Sequence, residues 1–167
     1  GNRLILTDTF DPEACLDAIE TEGVTQISGF ETHVKALVDA QEAQPRNLST
    51  LRTGTFGAGT ASAVPIYQKA LKVLAPLWPL TAYGMTEIGG NACLSYLDST
   101  AEQVFNSSGP PCDGFEFRVI DPETGHDQPC EIPGEIIVKS YNLMLCYYKM
   151  PEETAKAYDV DGWFRTG

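Results

Sequence analysis

Leu77-Trp78-Pro79-Leu80-Thr81-Ala82-Tyr83-Gly84-Met85-Thr86-Glu87 is the stretch on which the reading of this chain turns. Its first half is an apolar run that reads as a buried strand. Its second half sets a glycine, a hydroxyl and a carboxylate together at the carboxyl end of that strand. Ligand sites in open α/β sheets lie at such ends. A glycine lets backbone approach a ligand, a threonine hydroxyl bonds a phosphate oxygen, and a glutamate holds a hard cation such as Mg²⁺. The stretch therefore points to nucleotide chemistry on an α/β sheet.

Upstream, strand and helix signals alternate. Leu4 to Leu6 is a short apolar run read as a strand. Asp11 reads as an N-cap with Pro12 at the first helical position, and Glu13 supplies negative charge to the first turn. The pairs Ala14/Ala18 and Cys15/Ile19 define the expected buried face of that helix, and Gly23 its stop. Val24 to Ile27 predicts a second strand. About Glu31 to Glu42 predicts a helix carrying Val34, Leu37 and Val38. Leu51 to Phe56 predicts a third strand. Ala63 to Leu74 predicts a helix whose Tyr67, Ala70, Leu71 and Leu74 form one core-facing stripe. Leu80 to Tyr83 closes the series as a strand. Repeated βα units imply an α/β fold with a mostly parallel sheet.

Downstream the pattern changes. Phe115, Phe117 and Val119 alternate with Glu116, Arg118 and Ile120 at the period of a strand. Asp121-Pro122-Glu123-Thr124-Gly125 is a turn signal. Glu135 to Lys139 predicts a second, antiparallel strand. A short helix opens at Pro151, and Gly162 to Thr166 begins another strand. The expected division is an α/β subdomain over residues 1–99 and a smaller β-rich one over 100–167.

Composition narrows the function. The chain has 167 residues, 43% of them hydrophobic, enough for a real core. Eleven basic against 23 acidic residues give a net charge of −12, a poor match to nucleic acid or an anionic membrane. No apolar run approaches the ~18 residues a membrane span needs. Five cysteines, Cys15, Cys93, Cys112, Cys130 and Cys146, form no CxxC pair, and His33 and His126 are the only histidines. That argues against a zinc site and for thiols in a reducing compartment, so an intracellular, cytoplasmic or organellar location is expected. Both ends read as cut in mid-element, so an internal fragment of a longer protein is expected.

Three segments together carry a family resemblance. Tyr83 to Glu87 resembles the tyrosine-glycine-x-threonine-glutamate motif of the adenylate-forming (AMP-binding) superfamily. Gly134-Glu135-Ile136-Ile137-Val138 resembles its glycine-glutamate-aliphatic strand. Tyr147-Tyr148-Lys149-Met150-Pro151-Glu152-Glu153-Thr154, ending at Asp161-Gly162-Trp163-Phe164-Arg165-Thr166-Gly167, is similar to its tyrosine-rich and tryptophan-threonine-glycine segments. Order and spacing agree across essentially the whole chain. The resemblance is to an acyl-CoA synthetase, as part of the large N-terminal domain, with a distorted, barrel-like β-rich portion.

The resemblance implies an ATP-dependent carboxylate-activating ligase. A small-molecule carboxylic acid attacks the α-phosphorus of ATP, and coenzyme A then takes the acyl group. It implies that Tyr83 packs on adenine, that Thr86 bonds a phosphate oxygen, and that Glu87 binds Mg²⁺. Thr86 and Glu87 are thus the implied catalytic pair, with Gly84 and Met85 beside the nucleotide. Gly57-Ala58-Gly59 falls at the family's glycine-rich turn, although the family has two adjacent glycines there. Phe30 to Val34 and Gly84 to Met85 fall at the acyl pocket. The family often has valine-proline-threonine where this chain has Phe30-Glu31-Thr32, and a glycine where it has Cys146. The phosphate loop, ribose-binding aspartate and adenylation lysine are expected outside these residues, so the chain alone is expected to be inactive.

Read singly, each residue has a plainer role. Thr86 could cap a helix, Tyr83 could be core, Glu87 could be solvated, and His33 could be an ordinary half-buried histidine. The rival function is a non-catalytic degenerate homologue acting as a nucleotide-binding or interaction module.

Overall fold

A computed structural model describes residues 1–57 and 64–167. They form two compact units, one of residues 1–82 with 95–109, the other of residues 83–94 with 110–167. The chain thus passes between units three times, whereas a single passage near residue 99 was expected. The strand that begins in the first unit ends in the second, so sequence order and spatial order part there.

The first unit is built from βα repeats. Helix α1 (Pro12–Glu22) starts as its sequence predicts: the Asp11 carboxylate accepts from the Ala14 N–H at 3.1 Å, Pro12 follows, and Gly23 ends the helix at φ 66°. Its buried residues are Leu16 and Ile19, while Ala14 is exposed. The expected alanine face is corrected: the larger apolar side chains gain more by burial and set the rotation of the helix. Strand β1 (Gln26–Phe30) leads into α2 (Glu31–Ala43), β2 (Thr53–Gly57), α3 (Val64–Val73) and β3 (Trp78–Met85). β1 pairs with β2 and β2 with β3, both parallel. The sheet order is β1-β2-β3-β4, with β4 at Gly90–Leu94.

One core holds this unit together. Leu16 and Ile19 of α1, Val34, Leu37 and Val38 of α2, Phe56 of β2, and Tyr67 and Ala70 of α3 belong to a single buried cluster. Each large aliphatic side chain so buried contributes about 1.5–3 kcal/mol. Leu4 to Leu6 is not a strand: Leu4 is 79% and Leu6 80% exposed. An apolar run becomes a strand only beside a partner edge.

Helix α4 (Ala101–Asn106) was not anticipated. Its Thr100 side chain accepts from the Gln103 N–H at 3.2 Å, and Gln103 accepts from the Thr100 N–H at 2.8 Å, a reciprocal cap. Buried Thr81 of β3 is fixed by polar contacts in the same unit. Its N–H donates to Ser95 Oγ at 2.8 Å, and its hydroxyl donates to the Ser107 carbonyl at 2.8 Å.

The second unit is β-rich. Strands β5 (Phe115–Ile120), β6 (Glu135–Ser140) and β7 (Phe164–Arg165) form an open three-stranded antiparallel sheet, and no closed barrel occurs among the described residues. Helix α5 (Pro151–Lys156) precedes β7. Ile88, Ala92, Val138 and Phe164 form its buried centre, with Tyr83, Met85, Phe115 and Phe117 packed against them.

Candidate active site

The end of β3 is shaped by its own backbone before any ligand is considered. A Cβ on Gly84 would stand 1.9 Å from the Gly90 carbonyl oxygen and 2.8 Å from Asn91 Cα. The close approach that requires a glycine is therefore that of β4, the neighbouring strand. Met85 is still extended, and residues Thr86–Ile88 then wind into a 3-10 turn. Gly89 closes the turn in the left-handed region at φ 79°, its N–H donating to the Thr86 carbonyl at 3.1 Å. Ile88 is fully buried and anchors the turn, leaving Thr86 exposed and Glu87 half-buried.

Tyr83 is half-buried in the same unit. Its ring meets Phe117 edge-on, with centroids 6.3 Å apart. That edge-to-face contact packs one side of the ring. Met85, also half-buried, packs on the same apolar cluster.

Glu87 is held at both its backbone and its side chain. Its carbonyl accepts from the Met144 N–H at 2.7 Å, and its Oε1 accepts from the Tyr147 hydroxyl at 3.1 Å. Tyr147 is in turn fixed through its own N–H, which donates to Thr154 Oγ1 at 3.0 Å. The Tyr158 hydroxyl donates to the Met144 carbonyl at 2.5 Å. Desolvation first, and then the bond to the Glu87 carboxylate, pushes the Tyr147 phenol above its ordinary value. Tyr147 therefore acts as a donor at neutral pH.

A carboxylate and a free hydroxyl thus stand on adjacent residues of one tight turn. Among the described residues no side chain or backbone group bonds the Thr86 hydroxyl or Glu87 Oε2. No group of three or more His, Cys, Asp or Glu capable of holding a metal occurs among the described residues. This donor set fits Mg²⁺ rather than a caged metal. Mg²⁺ is commonly held by one or two carboxylates, with phosphate oxygens and waters completing the octahedron.

The other expected residues are placed in the first unit. Gly57 ends β2, and its carbonyl accepts from the buried Tyr67 hydroxyl at 3.1 Å. A Cβ at Gly57 would press on the Phe30 ring at 3.0 Å. Ala58 and Gly59 lie outside the described residues. His33 caps α2: its Nδ1 accepts from the Phe30 N–H at 3.0 Å, and its ring meets Phe10 edge-on at 4.5 Å. Those contacts account for His33 as a structural residue. Phe30 is 67% exposed.

Tyr147 is the site residue that reading the sequence did not single out. It appeared only as part of a tyrosine-rich segment, 60 residues from its partner Glu87.

Comparison with known proteins shows which family the chain resembles over its length. The model of the AMP-binding enzyme family matches residues 1–148. The 3-[(3aS,4S,7aS)-7a-methyl-1,5-dioxo-octahydro-1H-inden-4-yl]propanoyl:CoA ligase of Mycobacterium tuberculosis is 33% identical over all of this chain, which covers 31% of that protein. The medium-chain fatty-acid–CoA ligase of Escherichia coli is 32% identical, again over the whole chain and 29% of the relative. Among solved structures, ATP-bound MatB from Rhodopseudomonas palustris superposes with a TM-score of 0.80 at 29% identity, over 97% of this chain and 31% of that one. The chain spans about a third of the length of the curated relatives it matches. With the family match extending over most of its residues, the chain belongs to the AMP-binding enzyme family.

Proposed function

We propose that this chain carries the nucleotide- and cation-facing part of an ATP-dependent carboxylate-activating ligase that makes an acyl-CoA. The observation that carries the proposal is the turn at the end of β3, which presents Thr86 and Glu87 side by side from a buried anchor at Ile88. A carboxylate oxygen of the acid attacks the α-phosphorus of ATP and pyrophosphate leaves. The coenzyme A sulfur then attacks the acyl carbon and AMP leaves. Both steps gain from in-line positioning and from neutralised phosphate charge. Mg²⁺, when bound, supplies that neutralisation.

The chain's own residues do the rest. Tyr83, backed by Phe117, offers a ring face to adenine. Thr86 donates its hydroxyl to a phosphate oxygen. Glu87 presents Oε2 to the cation while Oε1 is engaged by Tyr147. The acyl acid is a small molecule, and the names of the relatives support a fatty or cyclic carboxylic acid.

The test is ATP–pyrophosphate exchange by the full reading frame containing this chain, against a panel of carboxylic acids. Exchange with at least one acid is expected. Glu87→Ala should lower it by about tenfold or more and raise the Mg²⁺ concentration needed. Kinetics unchanged by Glu87→Ala would remove Glu87 from the site, and no exchange with any acid would remove the activity.

A further inference from the structure

The segment that follows β6 reaches Glu87 with more precision than packing alone requires. It makes two hydrogen bonds to that one residue: Met144 N–H to the backbone carbonyl at 2.7 Å and the Tyr147 hydroxyl to Oε1 at 3.1 Å. Its own geometry is then fixed by Thr154 Oγ1, which accepts from the Tyr147 N–H and donates to the Met150 carbonyl at 2.8 Å. Asn142, at the head of the segment, lies against the closing glycine: a Cβ on Gly89 would sit 3.1 Å from Asn142 Cβ and from its carbonyl oxygen. These contacts all lie within the second unit.

We propose that Tyr147 is a positioning residue for the cation: its hydroxyl occupies Glu87 Oε1, locks the carboxylate rotamer, and leaves Oε2 as the oxygen that meets the metal. This rests on the assignment of Glu87 as the cation's protein ligand. A glutamate has three rotatable side-chain bonds, so an untethered carboxylate in a half-exposed turn samples several orientations and loses that freedom on binding. A donor already bonded to one oxygen removes much of that cost. With Oε1 engaged by the hydroxyl, Oε2 is the oxygen left to face the metal. Removing the partners that hold a metal ligand in place typically weakens metal affinity ten- to a hundredfold.

The experiment measures binding, not turnover. Mn²⁺ replaces Mg²⁺, and its affinity in the presence of ATP is read by electron paramagnetic resonance on the full reading frame. Four proteins are compared: wild type, Tyr147→Phe, Glu87→Gln and the double variant. Tyr147→Phe should weaken ATP-dependent Mn²⁺ binding by about tenfold, the low end for such partners. In the Glu87→Gln background the same change should have little further effect, because the oxygen it positions has lost its charge. A phenylalanine fills the same space, so a merely structural role for the ring leaves the Mn²⁺ affinity unmoved. Wild-type-like affinity in Tyr147→Phe, or an equal loss in both backgrounds, overturns the inference while leaving Glu87 in place. Absence of ATP-dependent Mn²⁺ binding in the wild type overturns the assignment of Glu87, and this inference with it.

Discussion

Replacing Gly84 by alanine separates what the β3 terminus does for the fold from what it does for a ligand. The added Cβ would lie 1.9 Å from the Gly90 carbonyl oxygen, 2.6 Å from the Gly90 carbonyl carbon and 2.8 Å from Asn91 Cα. All three atoms are backbone, so no rotamer change relieves the clash. Ordinary contact begins near 3.4 Å, so β4 would have to move by about 1.5 Å relative to β3. Overpacking in a well-packed site costs about 1–3 kcal/mol where side chains yield. Here only backbone is available to yield, and Ala92 of β4 belongs to the buried centre of the second unit. We expect a loss of about 3 kcal/mol or more, beyond the ordinary range for a point change. The assay is urea unfolding by tryptophan fluorescence in a Trp78→Phe background, where Trp163 alone reports on the second unit. A slope of about 2 kcal/mol per molar urea turns that loss into a midpoint lower by about 1.5 M. A midpoint within about 0.5 M of the reference would refute the argument. Gly84 would then have to be explained by ligand approach instead.

Two further predictions concern single contacts. Ser95→Ala deprives the buried Thr81 N–H of its acceptor and should cost about 1–3 kcal/mol in the first unit; unfolding followed at Trp78 checks it, and a loss below about 0.5 kcal/mol would mean that the N–H finds another partner. The Arg165 guanidinium, bonded at 3.1 Å and 2.5 Å to Glu135 Oε2, holds the Glu135 carboxyl below its usual value. The stabilisation from a depressed carboxylate is fully present above its unfolded value of about 4.3 and is lost as pH falls through the lower folded value. Glu135→Gln should therefore flatten the acid limb of the stability–pH curve below about pH 4.3, and an acid limb identical to that of the wild type would contradict the pairing.

How much of this was legible in the sequence follows from how local each signal is. The start and stop of α1 are encoded within a few residues, Asp11-Pro12 and Gly23, and were read directly. The stripes of α2 and α3 are legible because periodicity reports a face without reference to anything distant. The alternation of β5 marks a strand but not its whole face, since Val119 is exposed and Ile120 is buried. The Thr100–Gln103 cap of α4 is equally local, but it falls where the sequence reads as a boundary between subdomains. β4 was hidden by Gly89-Gly90, which reads as loop although it enters a strand. Leu4 to Leu6 shows the opposite failure, since β potential cannot say whether an edge is available. The pairing of Glu87 with Tyr147 has no local code at all, because the two residues meet only after both have been placed by the fold.

The same distinction changes what a loss of activity at Tyr83 to Glu87 would mean. Gly84 serves the approach of β4, and Met85 and Ile88 serve the core of the second unit. Thr86 and Glu87 are the two members of the turn with polar atoms left over, and only for them does a lost function point to chemistry. Tyr83 is intermediate, since Phe117 backs its ring and a substitution there disturbs both. An activity scan of this stretch would therefore score Gly84 and Glu87 alike for opposite reasons. Measuring unfolding and cation affinity on the same variants separates them. Gly84→Ala should lower both, because it displaces the strand beside the turn. Glu87→Gln should leave unfolding nearly unchanged and lower cation affinity alone, since an amide oxygen still accepts from Tyr147 but no longer carries charge.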